Sequence, residues 1–178
     1  MKENRRKFIK NTAGTAAAVS LIGNSAKWAG ANDKINVAVA GIRSRGQSHI
    51  SGYGRMKEAN VVALCDVDGS VLKDRAEKFK NDIDPNVKLY KDYRQILEDK
   101  NVDAVSIATP NHWHCLMTIW ACQADKDVYV EKPMSHNIYE GRMAMEAAKK
   151  YNRVVQHGTQ SRSSDALQEA MEHLKEGT

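Results

Sequence analysis

Glu131, Lys132 and Pro133 stand at the exit of a short apolar run, Val128-Tyr129-Val130, within the segment Asp-Val-Tyr-Val-Glu-Lys-Pro that spans residues 127–133. In a parallel sheet flanked by helices, ligands bind beyond the carboxyl ends of the strands, so Glu131 and Lys132 would face a bound cofactor or substrate. Lys132 is therefore the first residue to suspect of chemistry. Taken alone, its ammonium could equally be a solvated charge at a strand end.

A second chemical feature closes the first apolar run, where Val39-Ala40-Gly41-Ile42-Arg43-Ser44-Arg45-Gly46 leads from a strand into a helix. A turn that cradles a pyrophosphate needs glycine first for the tight bend, second for close approach of the phosphates, and third for helix-on-strand packing. Gly41 and Gly46 fill the first and third positions, and Arg43 takes the second. Its guanidinium could pair with phosphate oxygens, lie over an adenine or extend into solvent. Either way, free backbone amides and the dipole at the helix start can still hold phosphate. Asp66 ends the second strand about 20 residues further on, where a carboxylate accepts hydrogen bonds from adenosine ribose hydroxyls and repels a 2′-phosphate. That favours NAD over NADP. The other use for Asp66 is a helix cap, a task for which Asp68 competes.

These groups need a sheet to position them. From Asp33 on, runs rich in β-branched residues alternate with amphipathic stretches. Strands are expected at Ile35–Ala40, Val61–Asp66, Val87–Tyr90, Val102–Thr109, Val128–Val130 and Val154–His157. Helices are expected at about 44–57, 69–81, 92–99, 112–124, 138–151 and 164–176, so the fold class is α/β, a doubly wound parallel sheet of the Rossmann-like, dinucleotide-binding kind. The run Val102 to Ala108 is almost continuously apolar, as covering helices on both faces require. A β-sandwich would alternate polar and apolar residues and use hairpin turns, but Asp68-Gly69 leads into a helix. Cys65, Cys115 and Cys122 read as buried thiols, not as a disulfide or metal set. His112 and His114 diverge on a helix and cannot share a metal, so no metal site is expected. Trp113 and Trp120, seven apart, suit core packing.

Residues 1–31 do not belong to this domain. Asn4-Arg5-Arg6-Lys7-Phe8-Ile9-Lys10, then the modestly apolar run Ala13 to Ile22, then Ala29-Gly30-Ala31 resemble a twin-arginine export signal with its cleavage site. The expected location is periplasmic or extracytoplasmic, with the export machinery as a partner. No segment has the roughly 20 apolar residues of a stable membrane span. The leader holds six basic residues and one acidic, a surplus equal to the whole-chain charge of +5. The remainder is neutral, which removes the electrostatic case for nucleic acid. It is long enough for one domain, placed at 32–164, with 165–178 beginning a connection.

Three motifs, Ala40-Gly41 with Gly46, Ala108-Thr109-Pro110-Asn111-His112-Trp113-His114, and Glu131-Lys132-Pro133, resemble the Gfo/Idh/MocA oxidoreductases over nearly all of residues 34–164. The resemblance implies that Gly41, Ile42, Arg43 and Gly46 hold a pyrophosphate and Asp66 a ribose. It places Thr109, Pro110, Asn111 and His114 at the nicotinamide end and Glu131 on the nicotinamide ribose. Lys132 falls near the reacting carbon, its bond to Pro133 in cis. As hydride leaves a sugar or polyol carbon, an ammonium there stabilises the developing oxyanion or relays its proton. Arg43 departs from the pattern. The family also implies a second α/β domain that binds substrate and associates into homo-oligomers, and this chain is expected to lack it. An exported enzyme would load NAD before transport and keep it tightly. Three readings stay open for the parent: sugar or polyol oxidation, NAD-dependent glycoside hydrolysis of the N-acetylgalactosaminidase kind, and a non-enzymatic dinucleotide-binding or regulatory module.

Overall fold

In a computed structural model that describes residues 34–177, the chain alternates strand and helix throughout. β1 (Ile35–Ala40) leads into α1 (Arg45–Gly54), β2 (Ala59–Cys65) into α2 (Gly69–Lys78), and β3 (Lys88–Tyr90) into α3 (Tyr93–Glu98). β4 (Ala104–Ile107) passes through a short 3-10 turn, Asn111–Trp113, into α4 (His114–Gln123). β5 (Asp127–Glu131), α5 (Ile138–Lys150), β6 (Val155–Gly158), a 3-10 turn at Gln160–Ser163 and α6 (Asp165–Glu176) complete the order. All strand pairs are parallel, in the spatial order β3-β2-β1-β4-β5-β6. This is the doubly wound sheet expected from the alternation of patterns.

Strand geometry turns alternate residues to opposite faces, and each face builds its own core. Ala38, Ala40, Val105, Ile107, Val128 and Val130 meet Tyr93 and Ile96 of α3 and Met117 and Ala121 of α4. On the other face Val39, Val61 and Leu64 meet Ile42, Ile50 of α1 and Leu72 of α2. Burying an Ile or Leu of this kind contributes roughly 1.5–3 kcal/mol, so the sheet is held chiefly by these two layers. α5 lies against α4, with the Cys115 thiol donating to the Glu140 carbonyl at 2.7 Å. The three cysteines are free and buried, as expected.

Local chemistry sets the element ends. Asp68, Asp92 and Asn137 cap α2, α3 and α5 by accepting from the amides of Ser70, Arg94 and Glu140. Such caps are worth about 1 kcal/mol each. β4 is shorter than its apolar run. Val102 is buried ahead of the strand, where its carbonyl, with that of Asp99, accepts from the Lys126 ammonium at 2.7 and 2.9 Å. A register shift opposite Val37 and Ala38 leaves Val62 unpaired and sets Ala40 against Cys65, which brings Asp66 level with Gly41. The expected leader lies outside the described residues. No helix among the described residues is long and apolar enough to cross a membrane.

Candidate cofactor-binding site

Ala40, Ile107 and Val130 lie in register across β1, β4 and β5, so the residues that follow them leave the sheet along one edge. With strands about 4.8 Å apart, the Gly41 turn and the exit of β5 at Lys132 stand about 10 Å apart on that edge. α1 packs on one face and α4 on the other, which makes β1/β4 the switch point where a crevice must open.

Each glycine of the turn has a steric reason. Gly41 has φ +79°, and a Cβ there would lie 2.6 Å from the Thr109 amide nitrogen and 2.7 Å from the Ala108 carbonyl. One on Gly46 would collide with the Gly41 carbonyl oxygen. Behind the turn, α1 starts without a side-chain cap and without acidic residues in its first turn, leaving amides open to an anion.

Asp66 is nearly buried, and its carboxylate ties two loops together. One oxygen accepts from the Ile42 amide at 3.3 Å and the other from the Asp68 amide at 3.1 Å. Ile42 is fully buried, so it serves through packing and through this bond to Asp66. The Arg43 guanidinium turns to the second strand: it donates to Asp68 at 2.6 Å and sits 3.9 Å from Asp66. Beside Asp66 opens a cavity of about 600 Å³ lined by Gly41, Tyr93, Thr109, Pro110 and Trp113, a size that suits a small ligand.

The β4 and β5 loops are joined by His114. It is 2% exposed, and its ring nitrogens lie 2.7 Å from the Pro133 carbonyl and 2.8 Å from that of Thr109. It thus fastens the loops that carry Thr109 and Lys132, while Asn111 stays exposed on the rim. Thr109 and Pro110, expected at the nicotinamide end, stand with Asp66 in the cavity. Lys132 is exposed, its bond to Pro133 is cis, and among the described residues its ammonium has no hydrogen-bond or ion-pair partner.

Glu131 points the other way, into a polar cluster in which Glu131, His49 and Ser106 are buried and Arg45 and Gln160 are exposed. One carboxylate oxygen accepts from Arg45 Nε at 2.8 Å, His49 Nε2 at 2.9 Å and Gln160 Nε2 at 2.7 Å. The other is 3.3 Å from the Lys132 amide. His49 Nδ1 meets the Ser106 hydroxyl at 2.8 Å. Burial pushes the Glu131 carboxyl up, but Arg45 and His49 together outweigh it and hold it below the ordinary carboxylate range. Burial depresses His49, against the pull of Glu131. The neutral ring then donates from Nε2 to the carboxylate and accepts from Ser106 at Nδ1.

Residues 35–159 match the family described as oxidoreductases with an NAD-binding Rossmann fold, Gfo/Idh/MocA. The chain belongs to the Gfo/Idh/MocA oxidoreductases. Its relatives differ in what they are named for. Glycosyl hydrolase family 109 protein 2 of Shewanella sp. (strain ANA-3) is 34% identical over 160 residues, covering 77% of this chain and 35% of its own length. Myo-inositol 2-dehydrogenase of Thermotoga maritima is 28% identical over 144 residues, covering 81% and 42%. The structure of an NAD binding oxidoreductase from Klebsiella pneumoniae superposes with a TM-score of 0.69 at 28% identity, over 81% of this chain and 39% of that one. The chain spans well under half the length of these relatives.

Within this Gfo/Idh/MocA domain, sequence reasoning missed Arg45, His49, Ser106 and Gln160. Two signals for them were present. Ser106 is a lone hydroxyl inside an apolar strand, and a buried hydroxyl demands a partner. Arg45 and His49 are four apart on α1, which puts them on one helical face.

Proposed function

We propose that this chain is the NAD-holding part of an exported enzyme that oxidises a sugar or polyol by hydride transfer. The observation that carries the reading is the shared edge: the Gly41 turn, Asp66 and Lys132 all leave the sheet on one side, around its switch point. The residues fit a dinucleotide. Gly41 and Gly46 clear space that a Cβ would fill, Asp66 keeps lone pairs for ribose hydroxyls, and the adjoining cavity of about 600 Å³ has room for adenosine. The open amides at the start of α1 would take the pyrophosphate. NAD is the favoured form, since a 2′-phosphate would meet the Asp66 carboxylate.

Bound nicotinamide supplies a hydride acceptor. Lys132 presents at this edge an ammonium with no partner among the described residues, where it would stabilise negative charge on an alcohol oxygen or carry off its proton. Glu131 holds the backbone at that exit through the Lys132 amide, and His114 fixes the neighbouring loop. Substrate would be bound by a further domain, the part of the family's length that this chain does not span, through which the parent would associate as a homo-oligomer. Residues 1–31 would direct twin-arginine export. NAD loaded before that step would be held tightly and recycled in place.

The likeness to a family 109 glycosyl hydrolase favours a second reading, in which transient oxidation eases glycosidic cleavage and is then reversed. One experiment separates the two. The full-length protein given a free sugar or polyol should produce NADH under the first reading. Release of free sugar from an aryl glycoside without net NADH would establish the second.

A further inference from the structure

The preference between NAD and NADP is the part of this reading that the structure takes further. A ribose held at Asp66 directs its 2′ position toward the loop Asp66-Val67-Asp68 and the Arg43 guanidinium above it. An arginine in that place is the usual partner of a 2′-phosphate, because guanidinium and phosphate form charge-assisted, bidentate hydrogen bonds. Here the arginine is already engaged. Its Nη2 donates to Asp68 at 2.6 Å, and its Nε lies 3.9 Å from Asp66.

Asp68 divides its two oxygens between two tasks. One caps α2, accepting from the Ser70 amide at 2.9 Å and the Ser70 hydroxyl at 2.6 Å. The other holds Arg43. A 2′-phosphate entering the site would thus meet two carboxylates and a guanidinium whose charge is spent. Neutralising Asp68 removes the charge attraction that holds the Arg43 guanidinium on this side of the site.

We propose that Asp68 is a specificity-determining residue: by keeping Arg43 captive it makes the site reject NADP, and its neutralisation frees Arg43 to take the 2′-phosphate. The inference rests on the reading of this cleft as a dinucleotide site. It assigns Arg43 a place beside the ribose, away from the pyrophosphate.

The test is calorimetric titration of the chain with NAD and with NADP, for the native sequence, Asp68→Asn, Arg43→Ala and the double variant. Asparagine caps helices as well as aspartate, so α2 keeps its start, and Asp68→Ser serves as a second capping variant. The native chain should bind NAD at least about tenfold more tightly than NADP, and Asp68→Asn should narrow that ratio by about tenfold or more. Adding Arg43→Ala should abolish the gain. The proposal is overturned if the native chain binds both alike, if Asp68→Asn and Asp68→Ser leave the ratio unchanged, or if the gain survives removal of Arg43. Binding of neither nucleotide by the native chain would overturn the dinucleotide reading itself, and this proposal with it. An unchanged ratio with both nucleotides bound defeats the proposal alone.

Discussion

Gly41 concentrates two constraints in one residue, a left-handed backbone and an approach to Ala108 and Thr109 that leaves no room for a methyl group. Gly41→Ala should cost about 1–2 kcal/mol for the backbone alone, and more for the overlap, measurable by urea denaturation. It should also weaken NAD binding, because the turn must move to admit the Cβ. Lys132 is the opposite case. Exposed and without a partner for its ammonium among the described residues, it contributes little to folding, so Lys132→Ala should change stability by less than about 0.5 kcal/mol. In the full-length enzyme the same substitution should lower the turnover rate by about a hundredfold or more, the usual scale of a lost proton-transfer group. A substitution that unfolds the chain, or leaves turnover intact, would remove Lys132 from the chemistry.

At the scale of elements, the Glu131 carboxylate joins α1, β5 and the turn after β6, and His49 ties β4 into the cluster through Ser106. Its stability must depend on pH with a definite sign. Burial lowers His49 below its ordinary 6.5, so the folded state binds this proton less readily than the unfolded state does. The stabilisation is complete above about pH 6.5 and is lost as pH falls through the folded value. Glu131, also held below its ordinary value, adds a second loss at lower pH. The melting temperature should therefore decline as pH drops below 6.5, and His49→Gln should flatten the first part of that decline. A native melting temperature that is constant between pH 7 and 5 would contradict the arrangement of the cluster.

At the scale of the whole molecule, the sheet brings the turn after β1 and the exit of β5 to one edge. The chain by itself should bind NAD in calorimetry and should not oxidise a sugar; measurable dehydrogenation would show that no further domain is needed. Much of this was legible in the residues. Strand runs, the helix cap offered at Asp68, Gly41, Gly46 and the position of Asp66 all follow from period, turn sterics and spacing, which are properties of neighbours along the chain. The roles of Glu131, Arg43 and His114 were not legible. Glu131 was expected on a ribose and instead sits among Arg45, His49 and Gln160; Arg43 was open between phosphate, adenine and solvent and instead pairs with Asp68. His114, expected to line the site, spans two loops. The amino-acid order by itself determined which segments become strands and helices and where a phosphate-sized turn must fall, because those depend on local sterics and hydrophobic period. Only the tertiary structure decided which charged groups satisfy one another and which, like the Lys132 ammonium, have no partner among the described residues, because those partners come from strands and loops far apart in sequence.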